Sequence, residues 1–494
     1  MSQTADPGTP ADVADSGTPL EATPTAPTTD ETGAWRRWRP FLMRLHFYAG
    51  MFAGPFLLIA AVTGLLYTLT PQLDPIVYRD ELKVAQVTGD RLPMSQQINA
   101  AIAAHPEGRV TAIRPPSAAD ETTQVVMAAP DVPTDYSRTV FVDPYSGTVR
   151  GALTTYGQWL PIRAWFDEFH RNLHLGAFGR NYSELAASWM WIVSLGGLAL
   201  WVGYRVRRRE ARRIALPDNN TSGRRRMMSW HGAIGVWIIV GLLGLSVTGL
   251  TWSRYAGESI AQLRTSLSWT TPSVDTSLTA GGGAADEHHH GADHSEAKSL
   301  SQAESLAGVD RVLQSAREAG LKSPMYLSPP SSAGQGWQVD ENKRRMPTRY
   351  DSITVDPTNG NVTDRVNFSS WPLMAKMTNW TIDTHMGILF GLANQIVLAL
   401  LMIGLITSIV LGYRMWWRRR PTRSRRLPRA PRRGALFELK PVEAVLVVVA
   451  IIGIGWYVPL FGWSLAAFVA IDLAVGLVSR LRHQSSDTPT ETAV

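Results

Sequence analysis

The 494-residue chain contains no cysteine. That absence excludes disulfides, iron–sulfur clusters, thiolate ligation and covalently attached c-type haem. No Gly-rich phosphate or dinucleotide fingerprint is present, so neither a nicotinamide nor a flavin domain is expected within the chain. The N-terminal stretch 1–34 is rich in Pro, Thr, Ala and Asp and lacks apolar periodicity. It reads as a disordered cytoplasmic tail rather than a cleaved signal peptide, which leaves the first apolar run as a signal anchor. The net charge of +7 comes from arginines at 205–213, 224–226 and 414–433. These clusters sit in short loops beside apolar runs, a pattern of membrane topology rather than of a nucleic-acid surface, so no nucleic-acid partner is expected.

The apolar residues occur in blocks, as a bilayer requires of spans of about 20 residues. Four strong spans are expected, at Phe41–Leu69, Ser183–Tyr204, Trp230–Trp252 and His385–Tyr413, and a further stretch, Val442–Val478, is broken at Tyr457-Val458-Pro459. That stretch is too long for one span and basic on both flanks, which favours a re-entering pair of helices and about six spans in all. Basic loops place the N-terminus and both arginine-rich connections in the cytoplasm, with residues 71–180 and 254–380 outside. The resulting organisation is a tail (1–34), transmembrane segments at 35–70, 166–209, 229–255 and 381–418, outer modules at 71–165 and 256–380 with a linker at 281–298, cytoplasmic loops at 210–228 and 419–437, a C-terminal hairpin at 438–481 and a tail at 482–494. The fold class is therefore mainly an α membrane bundle with two extracytoplasmic α+β modules.

The chain repeats itself. His46 and His231 are each followed at the same spacing by Thr-Gly, at Thr63-Gly64 and Thr248-Gly249. The outer loops share a Val-Asp-Pro-x-x-Gly-x-Val turn, at 142–149 and 355–362, and spans two and four both end in Gly-Tyr-Arg, at 203–205 and 412–414. The unit is helix, outer module, helix, twice over, an arrangement that in membrane proteins often places a site between the halves. In the first module a helix is expected at 94–104 and strands at 109–114, 123–128, 138–142 and from 148 onward. The second should have a helix at 301–319 and strands at 324–327, 336–340 and 350–355.

Ionisable residues near membrane depth are costly and tend to be functional. His46 and His231 fall at the cytoplasmic starts of their spans, and His170, His174 and His385 at the outer side. One pair per face, each drawn from both halves, suits bis-histidine ligation of haem b. Small residues beside the ligands, Gly50 and Gly54, Gly232 and Gly235, Gly387 and Gly391, would admit the macrocycle. Glycines of this kind also serve close helix packing. His46 is expected to pair with His231, and His385 with His170 or His174. The latter two, four apart, should share a helical face. Counted back from the Gly-Tyr-Arg of each half, His174 lies closer than His170 to the level of His385, which mildly favours His174. A helix from His385 to Gly412 would be about 40 Å long, so two haems, not one, would be needed to serve both faces. Lys376, Arg171 and Arg180 could pair haem propionates or an anionic ligand. Trp159, Trp165, Phe166, Phe169, Trp371 and Trp380 form an interfacial belt or a docking floor. The histidines at 288–290 and 294 read as part of a solvated linker.

Leu45-His46-Phe47-Tyr48-Ala49-Gly50 with Thr63-Gly64 resembles the first span of PepSY-associated transmembrane proteins. Phe169-His170-Arg171-Asn172-Leu173-His174-Leu175-Gly176 resembles the approach to their second span, and Thr384-His385-Met386-Gly387 with Phe390-Gly391 their last conserved span. The Val-Asp-Pro turns resemble PepSY modules. The resemblance covers about residues 35–420, and the C-terminal hairpin lies outside it. In that family the recurrent histidine lies six residues before the Leu-Gly glycine, which here is His170. Members include inner-membrane ferric-siderophore reductases with two haems b. The resemblance thus implies a bacterial cytoplasmic-membrane oxidoreductase that passes electrons from a quinol or a cytoplasmic reductase to an external ferric siderophore. Rival expectations are a non-redox PepSY binding or regulatory protein, a transporter of the iron chelate, and a haem protein acting on cupric ions or a quinone.

Overall fold

The computed structural model describes residues 33–278, 298–419 and 439–486. The expected linker histidines at 288–290 and 294 lie outside them. Among the described residues, α1 (Gly33–Tyr67), α6 (Gly176–Arg207), α7 (Gly223–Thr251) and α12 (Leu392–Trp417) are long and apolar enough to cross a membrane. They close a ring in which α1 neighbours α6 and α12, and α7 neighbours the same two. Helices α1 and α7 therefore face each other across the bundle. The bundle's apolar core is built from small residues on α1 (Ala49, Ala53, Ala61) against larger ones such as Trp189, Met190, Leu242 and Met402.

Between α1 and α6 come α2 (Thr70–Val77), α3 (Arg79–Leu82), α4 (Met94–Ala104), strands β1 (Arg109–Arg114), β2 (Thr123–Ala128), β3 (Ser137–Val142) and β4 (Val149–Thr155), and α5 (Pro161–Asn172). Between α7 and α12 come α8 (Tyr255–Ser266), α9 (Gln302–Leu306), α10 (Val309–Glu318), β5 (Met325–Ser328), β6 (Trp337–Glu341), β7 (Ser352–Val355), β8 (Val362–Val366) and α11 (Leu373–His385). The two expected modules are not separate. Their strands form one eight-stranded sheet, β4-β3-β2-β1-β5-β6-β7-β8, joined where β1 pairs antiparallel with β5 at Ile113 and Leu327. Alternation explains the single core: inward residues of both halves, Val125, Val140, Leu327, Val339 and Ile353 among them, are buried under α4 and α10. A sheet continuing across the seam leaves no exposed inner edge to pair elsewhere.

Both Val-Asp-Pro turns form as expected. Asp143 Oδ1 accepts from Tyr145 N at 2.9 Å, and Asp356 Oδ1 accepts from Thr358 N at 2.8 Å. Each then closes through its glycine, Gly147 or Gly360, at positive φ. The single helix expected at 301–319 is instead α9 and α10, because Gly308 takes φ +74° to lie against the Pro357 carbonyl. The fourth span begins at Leu392, not at His385. Gly387 and Gly391 both have positive φ, so the chain leaves α11 at His385 and re-enters as α12. A similar break, with Leu173, His174 and Gly176 at positive φ, separates α5 from α6.

The C-terminal segment is a pair of helices, α13 (Pro441–Tyr457) and α14 (Pro459–Ser486). They cross closely, since a Cβ on Gly462 would meet the Gly455 Cα at 2.5 Å. The pair leans on the ring through Phe461 against Trp189 and through Trp189 Nε1 donating to Ser464 Oγ at 2.9 Å. Arg37 and Glu443, 2.8 Å apart, tie the start of α13 to the start of α1.

Trp337 is fully buried in the sheet core, and its indole N–H has no partner among the described residues. Trp337→Ala should therefore destabilise the sheet by about 3–5 kcal/mol, read as lowered resistance to limited proteolysis of the sheet. Trp337→Phe, which keeps most of the volume and deletes the unpaired donor, should cost much less. Equal losses in the two variants would contradict this packing role.

Candidate functional site

Near the arginine-rich end of the ring, His46 of α1 and His231 of α7 face each other with ring centroids 6.2 Å apart. Each imidazole is aimed by a hydrogen bond at its far nitrogen. His46 Nδ1 lies 2.9 Å from the Val193 carbonyl of α6, and His231 Nδ1 lies 2.9 Å from the Ser408 carbonyl of α12. A carbonyl only accepts, so Nδ1 carries the proton in both rings and both Nε2 atoms are left with a lone pair. Two imidazoles bound through Nε2 on opposite sides of one metal ion, at about 2 Å each, have centroids about 6 Å apart. The observed pair has that spacing.

The space around this pair is a cavity of about 630 Å³ lined by both histidines, Gly50, Gly197 and Gly235. The glycines on the two histidine helices divide into two kinds, and Gly197 of α6 is a third. A Cβ on Gly232 would sit 2.3 Å from the Trp201 ring, and one on Gly54 would sit 2.8 Å from the Tyr413 hydroxyl, so these two serve close helix packing. A Cβ on Gly50 or Gly235 would meet nothing within 4 Å among the described residues and would project into the space beside the histidines. A Cβ on Gly197 would crowd His46 Cε1 at 2.8 Å, so the bare backbone there makes room for the imidazole itself. The cavity mouth carries Arg39, Arg207, Arg208, Arg224, Arg225 and Arg419. A flat dianionic macrocycle fits this combination of two facing imidazoles, a gap cleared by glycine and a cationic rim.

At the sheet-facing end, His170 and His385 are brought together, and His174 is not. His170 and His385 lie at the ends of α5 and α11 respectively, each six residues before a positive-φ glycine, Gly176 or Gly391. His170 Nδ1 lies 2.9 Å from Thr63 Oγ1, and His385 Nδ1 lies 2.5 Å from Thr248 Oγ1. A Cβ on Gly64 would sit 3.2 Å from the His170 ring, and one on Gly249 would sit 3.9 Å from the His385 ring. The repeated Thr-Gly dipeptide therefore supplies one hydrogen-bond partner and one vacated Cβ per outer histidine. The two imidazoles lie within electrostatic reach of each other. A neutral imidazole is the form that can ligate a metal. His174 lies past the end of α5 in a left-handed turn, so it does not share a helical face with His170. Its ring packs on Trp165 and Phe169, and its Nδ1 is 3.3 Å from Glu168.

The count from Gly-Tyr-Arg points to His174 because α6 runs longer than α12 between the helix break and that motif. Since His385 lies off α12, the two histidine levels are separated instead by the stretch of α1 from His46 to Thr63, about 26 Å of helix, and by the matching stretch of α7 from His231 to Thr248.

Sequence reasoning missed the contacts that couple sheet and bundle here. Asp383, 1 % exposed and two residues before His385, accepts from Arg344 Nε at 2.7 Å and from the Tyr350 hydroxyl at 2.6 Å. Trp159 lies between Arg163 and Arg344, whose guanidinium carbons are 3.8 and 5.2 Å from its ring. The cations expected to hold propionates have protein partners. Lys376 donates to Ser369 O, Arg171 to the Tyr156 hydroxyl and Arg180 to Trp252 O. Arg171 and Arg180 each keep a buried Nε without a partner among the described residues. The expected aromatic belt divides into a group around His174 and a group of Tyr350, Phe368, Trp371 and Trp380 under the sheet. Among the described residues no group of three or more His, Cys, Asp or Glu is placed to hold a bare metal ion.

Two outcomes follow from this geometry. Gly232→Ala should lower the thermal midpoint of the purified protein, because overpacking Trp201 costs about 1–3 kcal/mol, whereas Gly235→Ala should leave it unchanged or raise it. The reverse order would contradict the division of the glycines. Asp74, beside Arg163, has its pKa raised from 3.8 to about 6 by burial. A carboxyl raised on folding binds its proton more tightly when folded, so its contribution to stability is fully present below about pH 4 and is lost as pH rises through about 6. Asp74→Asn should abolish that loss in a pH series of unfolding midpoints, and an unchanged series would contradict it.

No curated protein is matched by this chain. The sequence model of the family described as the PepSY-associated TM region matches residues 43–419, which takes in both histidine pairs, the sheet and the four long apolar helices except the first ten residues of α1. The chain is a multi-pass membrane protein and belongs to the PepSY-associated transmembrane family.

Proposed function

We propose that this protein is a membrane reductase of the di-haem b type, carrying electrons across the bilayer to an iron(III) chelate on the sheet side. The observation that carries the reading is the facing of His46 and His231 across the ring, at a separation suited to one iron between them and beside a glycine-cleared cavity. Pairs of histidines, rather than triads or tetrads, are what a metal already held by four macrocycle nitrogens requires of a protein. When bound, haem b supplies a one-electron carrier at each level.

The chain's own residues do the rest. Val193 and Ser408 carbonyls hold the inner rings with Nε2 inward, and Thr63 and Thr248 hold the outer rings. The arginine rim at the inner mouth balances anionic propionates. Arg344, Tyr350 and Asp383 fasten the sheet directly above His385. The acceptor docks against the sheet, where a polar cavity of about 410 Å³ is lined by Tyr326, Gln338, Asp340, Ser352, Trp371 and the same Tyr350. Iron(III) in a siderophore is bound far more tightly than iron(II), so one electron releases it.

On this reading the arginine-rich end faces the cytoplasm of a bacterium, with the N-terminus inside, and the sheet lies beyond the cytoplasmic membrane. The α13–α14 pair completes six spans, and the two halves descend from one duplicated helix–module–helix unit. The matching turns at Asp143 and Asp356 and the matching Thr-Gly contacts support that descent. A quinol or a cytoplasmic reductase supplies the electrons. The same polar cavity on the sheet also favours a second reading, a non-redox protein that binds a ligand through its PepSY strands.

The test is haem content per chain in purified variants, together with iron(II) release from a ferric chelate supplied on the sheet side of proteoliposomes. His46→Ala and His231→Ala should each retain only the outer haem, His170→Ala and His385→Ala only the inner one, and all four should lose chelate reduction. His174→Ala should keep both haems. Retention of two haems by the His385 variant would sink the pairing. A wild-type protein that releases iron without haem would sink the whole reading.

A further inference from the structure

The Thr-Gly repeat is used by neither ligand set, yet its hydroxyls touch both outer imidazoles. Thr63 Oγ1 spends its one hydrogen on the Ile59 carbonyl at 2.9 Å, and Thr248 Oγ1 spends its own on the Gly244 carbonyl at 2.8 Å. Lone pairs then face the histidines, so His170 and His385 present Nδ1–H and keep Nε2 bare, and the Ala60 carbonyl also accepts from His170. The inner rings reach the same tautomer through peptide carbonyls, those of Val193 and Ser408, whereas the Thr248 hydroxyl backs His385 and His170 divides its bond between Thr63 and Ala60. Amide resonance puts more negative charge on a carbonyl oxygen than a hydroxyl oxygen carries. The partner of the distal N–H sets how strongly an imidazole donates to a metal: a stronger acceptor makes a more basic ligand and favours the oxidised state.

We propose that Thr63 and Thr248 are positioning residues that hold the outer imidazoles in the Nδ1–H tautomer, and that Thr248, a weaker acceptor than the inner carbonyls, sets the outer centre at a higher reduction potential than the inner one. The proposal rests on the haem reading above. One electron leaving the inner centre, which is oxidised, then reduces the outer centre downhill toward the sheet. No proton accompanies it, because all four Nδ1 protons stay in their hydrogen bonds. The two halves of the chain thus use one ligand type at both levels and obtain direction from what lies behind it.

The experiment is a spectroelectrochemical titration of the purified holoprotein and of Thr63→Val, Thr248→Val, Thr63→Ser and Thr248→Ser. The wild type should show two one-electron waves, and the higher should be the one missing from His385→Ala. Thr248→Val should raise the outer wave alone by about tenfold in the reduced-to-oxidised ratio at fixed potential, about 59 mV for one electron. Thr63→Val should raise it less, because the Ala60 carbonyl still accepts from His170. The Ser variants, which keep the hydroxyl, should match the wild type. An outer wave that is the lower of the two, or that stays in place in Thr248→Val, overturns the proposal. So does a loss of outer haem from the Val variants with no change in the potential of what remains, because that is a purely structural role. If the Val variants hold no outer haem at all, ¹⁵N shifts of histidine-labelled, cofactor-free protein decide. His170 and His385 should be Nδ1–H in the wild type, with His385 mixed in Thr248→Val, and a mixed wild type overturns the proposal. A wild-type protein that takes up no haem removes the proposed function instead, and the ¹⁵N arm still tests the hydrogen bonds.

Discussion

Each of the four paired imidazoles is anchored at Nδ1 by a hydrogen bond to a neighbouring helix. In a low-dielectric bundle an unpaired ring nitrogen is expensive, and a ring free to rotate about χ2 has no defined direction. Anchoring Nδ1 to a neighbouring helix solves both problems and leaves Nε2 with its lone pair. The ring of helices follows from the same need. The carbonyls that anchor His46 and His231 belong to α6 and α12, the two helices that separate α1 from α7. The diagonal pair can face across an open gap only because the helices between them supply the backing.

The outer level uses a different device to the same end. Its histidines ride on short helices that stop before the spans begin, at breaks made by positive-φ residues. A histidine on such a helix can reach inward over the ring without interrupting the hydrogen bonding of a transmembrane helix. The sheet is locked to this level, not merely tethered, because buried Asp383 binds the loop of Arg344 and the Tyr350 side chain two residues from His385. A ligand that moved those strands would therefore be felt at the outer histidine pair.

Much of this was legible in the sequence, for reasons that particular residues make plain. Strands β1 and β2 match the expected ranges to the residue because alternation and flanking turn residues mark them sharply. The Val-Asp-Pro turns carry their own geometry in Asp and Gly. The break between α11 and α12 was hidden because Met386, Ile388, Leu389 and Phe390 prolong the apolar run, and hydropathy is blind to φ. The merged sheet was hidden because its seam is one pairing, Ile113 with Leu327, between strands far apart in the chain. Thr63 and Thr248 were visible as a repeat but not as partners, since a threonine in an apolar helix ordinarily satisfies itself on the preceding turn. His174 looked equivalent to His170 until the end of α5 at Asn172 separated them.

The central claim is that both histidine levels hold haem b. The most direct measurement is the absorption spectrum of the wild-type protein, purified in detergent after expression with ample haem supply, oxidised and then reduced with dithionite, with a pyridine haemochrome assay for stoichiometry. A sharp reduced α-band of b type at two haems per chain is the predicted result. A colourless protein would contradict it and leave the sheet cavity, rather than the histidine pairs, as the functional site.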